Sequence, residues 1–310
     1  MAIVVIGTVF VDIKGFPDDV YSPTGRNAGR VETVHGGVGR NVAEDIANVE
    51  LRPRFVSIVD DTGSGAEVLD KLRHHKVDVD YVLTRPDGMG IWLAVFDNTG
   101  DLAGSISKRP EMAPLADLLD EKGDEIFSDA DSIVLEVDLD KEIVKRVIAY
   151  ARKYGVKVFG VVSNMVIASQ RRDFFQSIDC FVCNVQEAGI LFVDDFSALT
   201  PEELTEELYR RICKANYPSM VVTMGSRGAV YASLNGERGY YPPESVKVRD
   251  TSGAGDAFCA GVAIGQTYGK DMRESVRIGT HLAASVITVS ESTCPRFLPG
   301  ELGLDVPVTD

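Results

Sequence analysis

Short runs of apolar, mostly β-branched residues recur along the chain, and most are followed by stretches whose apolar positions fall three and four apart. The runs predict buried strands at Ile3–Ile6, Arg54–Val59, Ser132–Val137, Val156–Val162, Cys180–Cys183 and Met220–Thr223, the last turning back into Ala229–Leu234. The stretches predict helices over Gly39–Val49, Gly65–His75, Lys141–Tyr154, Ile167–Phe175, Asn184–Leu191, Pro201–Ala215, Gly255–Gly269 and Met272–Ser290. In Lys141–Tyr154 the apolar residues Ile143, Val144, Val147, Ile148 and Ala151 form one stripe, suited to docking on a sheet. Strand and helix in alternation predict an α/β fold, a mostly parallel sheet covered by helices on both faces.

Two segments depart from that rhythm. Residues 10–34 are rich in Gly, Pro and polar groups, with short alternations such as Arg30-Val31-Glu32-Thr33-Val34. Residues 89–107 alternate like exposed strands, Ile91 to Phe96 and Leu102 to Ser107, around a turn at Asp97-Asn98-Thr99-Gly100-Asp101. Together they predict a small antiparallel sheet standing off the main one as a lid, within one α/β domain spanning 1–310. Its apolar face, Trp92 or Leu93 with Val95 and Phe96, needs a cover. A lone small sheet is marginal in water, so a second subunit is the expected cover and the chain is expected to be a homodimer through the lid. Trp92, the sole tryptophan, belongs either to the core or to the lid.

Length and charge narrow the partners. A chain of 310 residues, 45% apolar and 25% charged, is ordinary for a globular protein with a large core. A net charge of −15 leaves little cationic surface for nucleic acid, so none is expected as a partner. No apolar run approaches the length of a membrane span, and Met1–Gly7 lacks the basic start of a signal sequence. A cytoplasmic protein with no membrane partner is the expectation. Cys180 and Cys183 lie in a strand-like run with no second pair, and read as core thiols rather than a redox or zinc site.

The chemistry gathers at five places. Asp250-Thr251-Ser252-Gly253-Ala254-Gly255-Asp256-Ala257-Phe258 opens a small-residue helix. Gly253, Ala254 and Gly255 would leave backbone N–H groups free at its positive end, an anion site, and Asp256 beside them can accept a hydroxyl proton. Taken alone, the same run also fits a plain Gly-rich loop. His35-Gly36-Gly37-Val38-Gly39-Arg40-Asn41 is a second Gly-rich turn opening a helix, and Asn41 can bond a polyol. No strand is predicted directly before it and its spacing differs from GxGxxG, so it is not a dinucleotide fingerprint. Asp12 after the first strand suits sugar hydroxyls, or caps the surface. Asn184 and Glu187, three apart at a helix start, suit either magnesium-bound water and phosphate or a capping box. Thr223-Met224-Gly225-Ser226-Arg227-Gly228 ends a strand in a Gly-flanked loop, where doubly wound sheets bind ligands, and Arg227 can face a phosphate there.

In their order along nearly the whole chain, Gly36-Gly37 with Asn41, Asn184 with Glu187, Thr223–Gly228 and Asp250–Phe258 resemble the ribokinase/phosphofructokinase B family of small-molecule kinases. The resemblance implies a ribokinase-like fold with a β-sheet lid, ATP as phosphoryl donor, Mg2+, and a hydroxymethyl acceptor. It implies Asp256 as base, with Gly253, Ala254 and Gly255 as the anion hole. Asn184, Thr223, Gly225, Arg227 and Gly228 would border the nucleotide, and Glu187 would meet magnesium through water. Asp12, Gly37, Arg40 and Asn41 would hold the acceptor. A monovalent cation such as K+ near Asp250 and Thr251 is compatible with the resemblance. Val11–Gly15 and Gly36-Gly37-Val38-Gly39-Arg40-Asn41 are most similar to the pseudouridine kinase group, which implies a nucleoside acceptor. Ser105-Ile106-Ser107-Lys108 and Ser163-Asn164 depart from that pattern. A free-sugar kinase and a ligand-sensing protein without phosphotransfer remain as alternatives.

Overall fold

The computed structural model describes residues 2–306. The chain opens with β1 (Ala2–Ile6), sends out β2 (Phe10–Pro17) and β3 (Gly29–Gly36), and enters α1 (Val38–Asn48). It then runs through β4 (Arg54–Val59), α2 (Gly63–His74) and β5 (Asp78–Thr84) before leaving again as β6 (Gly90–Phe96) and β7 (Leu102–Lys108). Next come α3 (Pro114–Phe127), β8 (Ala130–Glu136), α4 (Lys141–Tyr154), β9 (Lys157–Val161), α5 (Met165–Ser169), β10 (Cys180–Asn184) and α6 (Val185–Phe192). The remainder is α7 (Pro201–Ala215), β11 (Ser219–Thr223), β12 (Ala229–Ser233), β13 (Arg238–Tyr241), α8 (Ala254–Thr267) and α9 (Met272–Val286).

The main sheet has the order β13-β12-β11-β10-β9-β8-β1-β4-β5. It is parallel from β11 to β5 and antiparallel at the β11–β12–β13 edge. Strand side chains alternate between the two faces. Ile3 and Val5 of β1, with Phe55 and Val59 of β4, join a core under α1, α2, α8 and α9. Their neighbours Val4, Ile6, Val56 and Ile58 join a second core under α3, α4, α6 and α7. Burial on both faces is why these strands read as continuous apolar runs.

β5, α3 and β13 are elements the periodicity did not reveal. β5 alternates Asp78-Val79-Asp80-Tyr81 because it lies at the sheet edge, and α3 carries Gly123, which meets the Tyr150 ring where a side chain would not fit. The helix expected at Ile167–Phe175 is instead the short α5, begun by Asn164 accepting from the amides of Val166 and Ile167, followed by a 3-10 turn at Phe174–Ser177.

The small sheet has the order β3-β2-β6-β7, and one expectation about it is corrected. Its outer pairs are antiparallel but the central β2–β6 pair is parallel, with Asp12 opposite Trp92 and Lys14 opposite Ala94. The reason is chain path: β4, α2 and β5 lie between the two strands, so β6 sets out from the same end of the molecule as β2. Pleating puts Asp12, Lys14, Phe16, Trp92, Ala94 and Phe96 on one face. Phe16 and Phe96 stack there, with ring centroids 4.8 Å apart. The opposite face carries Val31, Ile91, Leu93 and Ile106, all exposed. The expected face, Trp92 or Leu93 with Val95 and Phe96, is therefore split: Trp92 and Phe96 lie on the inner side, Leu93 and Val95 on the other.

Candidate active site

Two helix starts converge at one end of the main sheet. β3 leads directly into α1, which corrects the expectation that no strand precedes this turn; its exposed lid pattern hid it among polar residues. Gly37 joins them with φ of 100°, a conformation that disfavours any side chain. The turn aims the first residues of α1 toward α8. There Asn41 donates its side-chain amide to Asp256 Oδ2 at 2.7 Å.

The start of α8 is built from its own small residues. Gly253 is the N-cap with φ of 79°, and a Cβ there would run into the Ser292 carbonyl. No side chain caps this helix. The Ala254 amide meets the Thr251 carbonyl at 3.3 Å, and the Ala257 amide bonds Gly253. Among the described residues none accepts from the amides of Gly253, Gly255 and Asp256, so three donors at the positive helix end face outward. Beside them, burial pushes the Asp256 carboxyl up to about 7, against the pull of the Asn41 bond and the Arg40 charge. A carboxylate tuned near neutrality suits a general base.

One side of α8 borders a cavity of about 600 Å³. Ala254, Gly255 and Phe258 form part of its wall, with Thr223, Gly225, Ser226 and Gly228 from the β11–β12 loop. Further wall comes from residues that sequence reasoning missed, among them Val246 and Val248 in the coil after β13, and Thr280, Ala283 and Ile287 on and just after α9. These last residues recur at three and four, which in sequence cannot be told from a core stripe. Asn184 is the register partner of Thr223 on the neighbouring strand, yet its side chain accepts from the Glu187 amide while Glu187 Oε2 accepts from the Asn184 amide. The capping-box alternative is thus formed. Burial raises the Glu187 carboxyl. Among the described residues no group of three or more His, Cys, Asp and Glu could hold a metal ion. Arg227 requires a correction: its guanidinium donates to the carbonyls of Leu199, at 2.9 Å, and Ser197, at 3.2 Å, and is not part of the cavity wall.

On the other side of Asp256 lies the inner face of the small sheet. Asp12 sits against Gly36, where a Cβ would collide with its carboxylate, and burial raises its carboxyl against the charges of Lys14 and Arg40. Arg40, expected to hold the acceptor, is 2% exposed, paired with Glu44 at 2.7 Å and bonded to the His35 carbonyl, and its charge lowers the carboxyls of Asp12 and Asp256. Burial opposes ionisation of Glu44, but Arg40 and Lys71 hold its carboxyl at about 2. Glu136 was also missed. It ends β8 fully buried, takes the Thr8 amide at 2.7 Å, and is pushed to about 7 by burial and the nearby Asp138. In sequence it closes an apolar strand, and only the strand order places it at the centre of the sheet.

The model of the pfkB family carbohydrate kinases matches residues 2–296. A guanosine-inosine kinase from Exiguobacterium acetylicum is 36% identical over 292 residues, covering 94% of this chain and 95% of that protein. A pseudouridine kinase from Escherichia coli (strain K12) is 26% identical over 295 residues, covering 94% and 92%. Among solved structures, Arabidopsis thaliana ribokinase complexed with ribose and ATP superposes with a TM-score of 0.82 at 22% identity, covering 97% of this chain and 99% of that one. That likeness establishes the ribokinase-like fold.

Proposed function

The chain belongs to the pfkB family of carbohydrate kinases, phosphotransferases with an alcohol acceptor, and we propose that it moves the γ-phosphoryl group of ATP to the hydroxymethyl oxygen of a ribonucleoside. The observation that carries this reading is the place of Asp256. It stands on the first turn of α8 between the 600 Å³ cavity, sized for a nucleotide, and the Asp12 face, suited to sugar hydroxyls. The acceptor lies on the inner face of the small sheet, its ribose on Asp12 and Asn41 and its base toward Trp92, the register partner of Asp12. An aromatic neighbour beside the sugar site favours a nucleoside over a free sugar.

In the reaction, Asp256 accepts the proton of the acceptor hydroxyl as its oxygen forms the new bond to the γ-phosphorus. The bond to the β–γ bridging oxygen breaks, and its electron pair leaves with ADP. The amides of Gly253, Gly255 and Asp256 hold the charge on the phosphoryl oxygens, where fixed dipoles act without reorganising. When bound with ATP, magnesium would supply charge that shields the phosphates, and Glu187 would meet it through water. Thr223, Gly225 and Gly228 line the nucleotide side, and Asn184 supports that side through the α6 cap. Two copies packed through the outer faces of their small sheets cover Val31, Leu93 and Ile106.

A purine ribonucleoside is favoured over pseudouridine, since the relative named for guanosine and inosine is 36% identical and the one named for pseudouridine 26%. The test is an acceptor panel with magnesium-ATP: guanosine, inosine, adenosine, pseudouridine, uridine, ribose and fructose. Highest kcat/KM on guanosine or inosine is expected. A preference for ribose or fructose would overturn the nucleoside reading, and binding of nucleosides with no ADP release would favour the sensing alternative.

A further inference from the structure

A phosphoryl group in flight needs positive charge, and a chain of net charge −15 has little to spare. The cations near the site are mostly committed. Arg40 is held by Glu44 and the His35 carbonyl, Arg227 by the carbonyls of Leu199 and Ser197, and Arg109 by Asp138 at 3.0 Å. Lys14 is different. It projects from the inner face of β2, two residues beyond Asp12, and its side chain is 8% exposed. Its ammonium reaches Ser252 Oγ at 3.3 Å and Asp250 Oδ2 at 3.6 Å. Both contacts are longer than a tight charge-assisted bond, about 2.7–2.9 Å, and an ammonium has three donors. Asp250 also accepts the Ser252 amide, at 2.9 Å. A nearly buried cation with donors to spare thus rests on the residue preceding Gly253, whose turn presents the free amides.

We propose that Lys14 contacts the transferred phosphoryl group, as a charge carried to it by the small sheet. The inference rests on the kinase reading and deepens it. Asp12 and Lys14 share one strand face, so an acceptor seated on Asp12 fixes the ammonium over the α8 turn. The ammonium neutralises non-bridging oxygens while Asp256 takes the hydroxyl proton.

Three proteins, wild type, Lys14→Met and Lys14→Arg, test this by steady-state kinetics with magnesium-ATP and by calorimetric titration with ADP and with ATP. Lys14→Met should lower kcat by about 10²–10³-fold, the scale for losing one preorganised stabilising group, with acceptor KM changed less than about threefold. It should weaken ATP binding while leaving ADP binding intact, and Lys14→Arg should restore much of the rate. A purely structural lysine would instead lower the melting temperature and weaken ADP and ATP alike, which overturns the proposal. So does a Lys14→Met kcat within about threefold of wild type. If the wild type transfers phosphate to no acceptor, the kinase reading fails, and the ADP/ATP contrast still decides whether Lys14 meets the γ-phosphate.

Discussion

Replacing Asp256 by Asn tests the base directly, because burial has moved that carboxyl from 3.8 to about 7. The kcat/KM profile of the free enzyme should rise with pH through a midpoint near 7. At pH 6 only about a tenth of Asp256 is ionised, so the rate constant there should be about tenfold below its alkaline plateau. Asparagine keeps the size and an oxygen for the Asn41 amide but accepts no proton. Asp256→Asn should therefore lose about 10²–10⁴-fold in kcat and flatten the acid limb. Stability should move the other way. The fold holds the protonated carboxyl more tightly than the unfolded chain does, so this contribution is full below 3.8 and is lost as pH rises through 7. The Asp256→Asn variant, whose amide never ionises, should gain a few degrees in melting temperature at pH 8, at roughly 2 °C per kcal/mol, with the gain vanishing toward pH 4. ADP release measured from pH 5.5 to 9, with melting curves in the same buffers, supplies both readouts. A variant that retains a tenth of the wild-type rate, or a wild-type midpoint near 4, would refute the assignment.

Further outcomes follow from neighbouring contacts. Asn41→Ala removes a bond that lowers the Asp256 carboxyl, so the acid limb should shift upward by about one pH unit; a shift downward contradicts the geometry. Gly253→Ala adds a Cβ against the Ser292 carbonyl at positive φ, and should cost more than about 2 kcal/mol in denaturant melts and most of the activity; a neutral effect would mean the α8 turn is not held as described. Leu93→Asp with Ile106→Asp should yield monomers by light scattering if the small sheets pair face to face, and an unchanged dimer mass would place the contact elsewhere.

The sequence showed the turn that opens α8 plainly, and for physical reasons. Gly253, Gly255 and Asp256 form one contiguous turn, so local chemistry alone marks them, and the strands buried on both faces announce themselves by composition. What stayed hidden depends on distant segments meeting. Glu136 looks like the end of an apolar strand until β1 and β9 flank it. Lys14 looks like a surface lysine until β2 is folded over the turn at Ser252, 238 residues away in sequence. Arg227 misled in the opposite sense. Its Gly-flanked loop lines the cavity, but the side chain turns out to the Ser197–Leu199 carbonyls, a rotamer that no sequence pattern encodes. The parallel pairing of β2 with β6 was likewise invisible to local alternation, which reports that strands exist and not their direction.

The small sheet asks one strand to do two jobs on a two-residue repeat. Along β2 and β6 the even-numbered side chains, Asp12, Lys14 and Trp92, face inward, while the odd-numbered Leu93 lies outward with Ile106 of β7. Deleting a single residue near Thr8 would exchange the two faces of β2, turning Ile13 inward and stranding Lys14 in solvent. This segment can therefore drift by substitution but is brittle to insertion or deletion, and changes that alter what it grips from within are inherited together with what it meets outside.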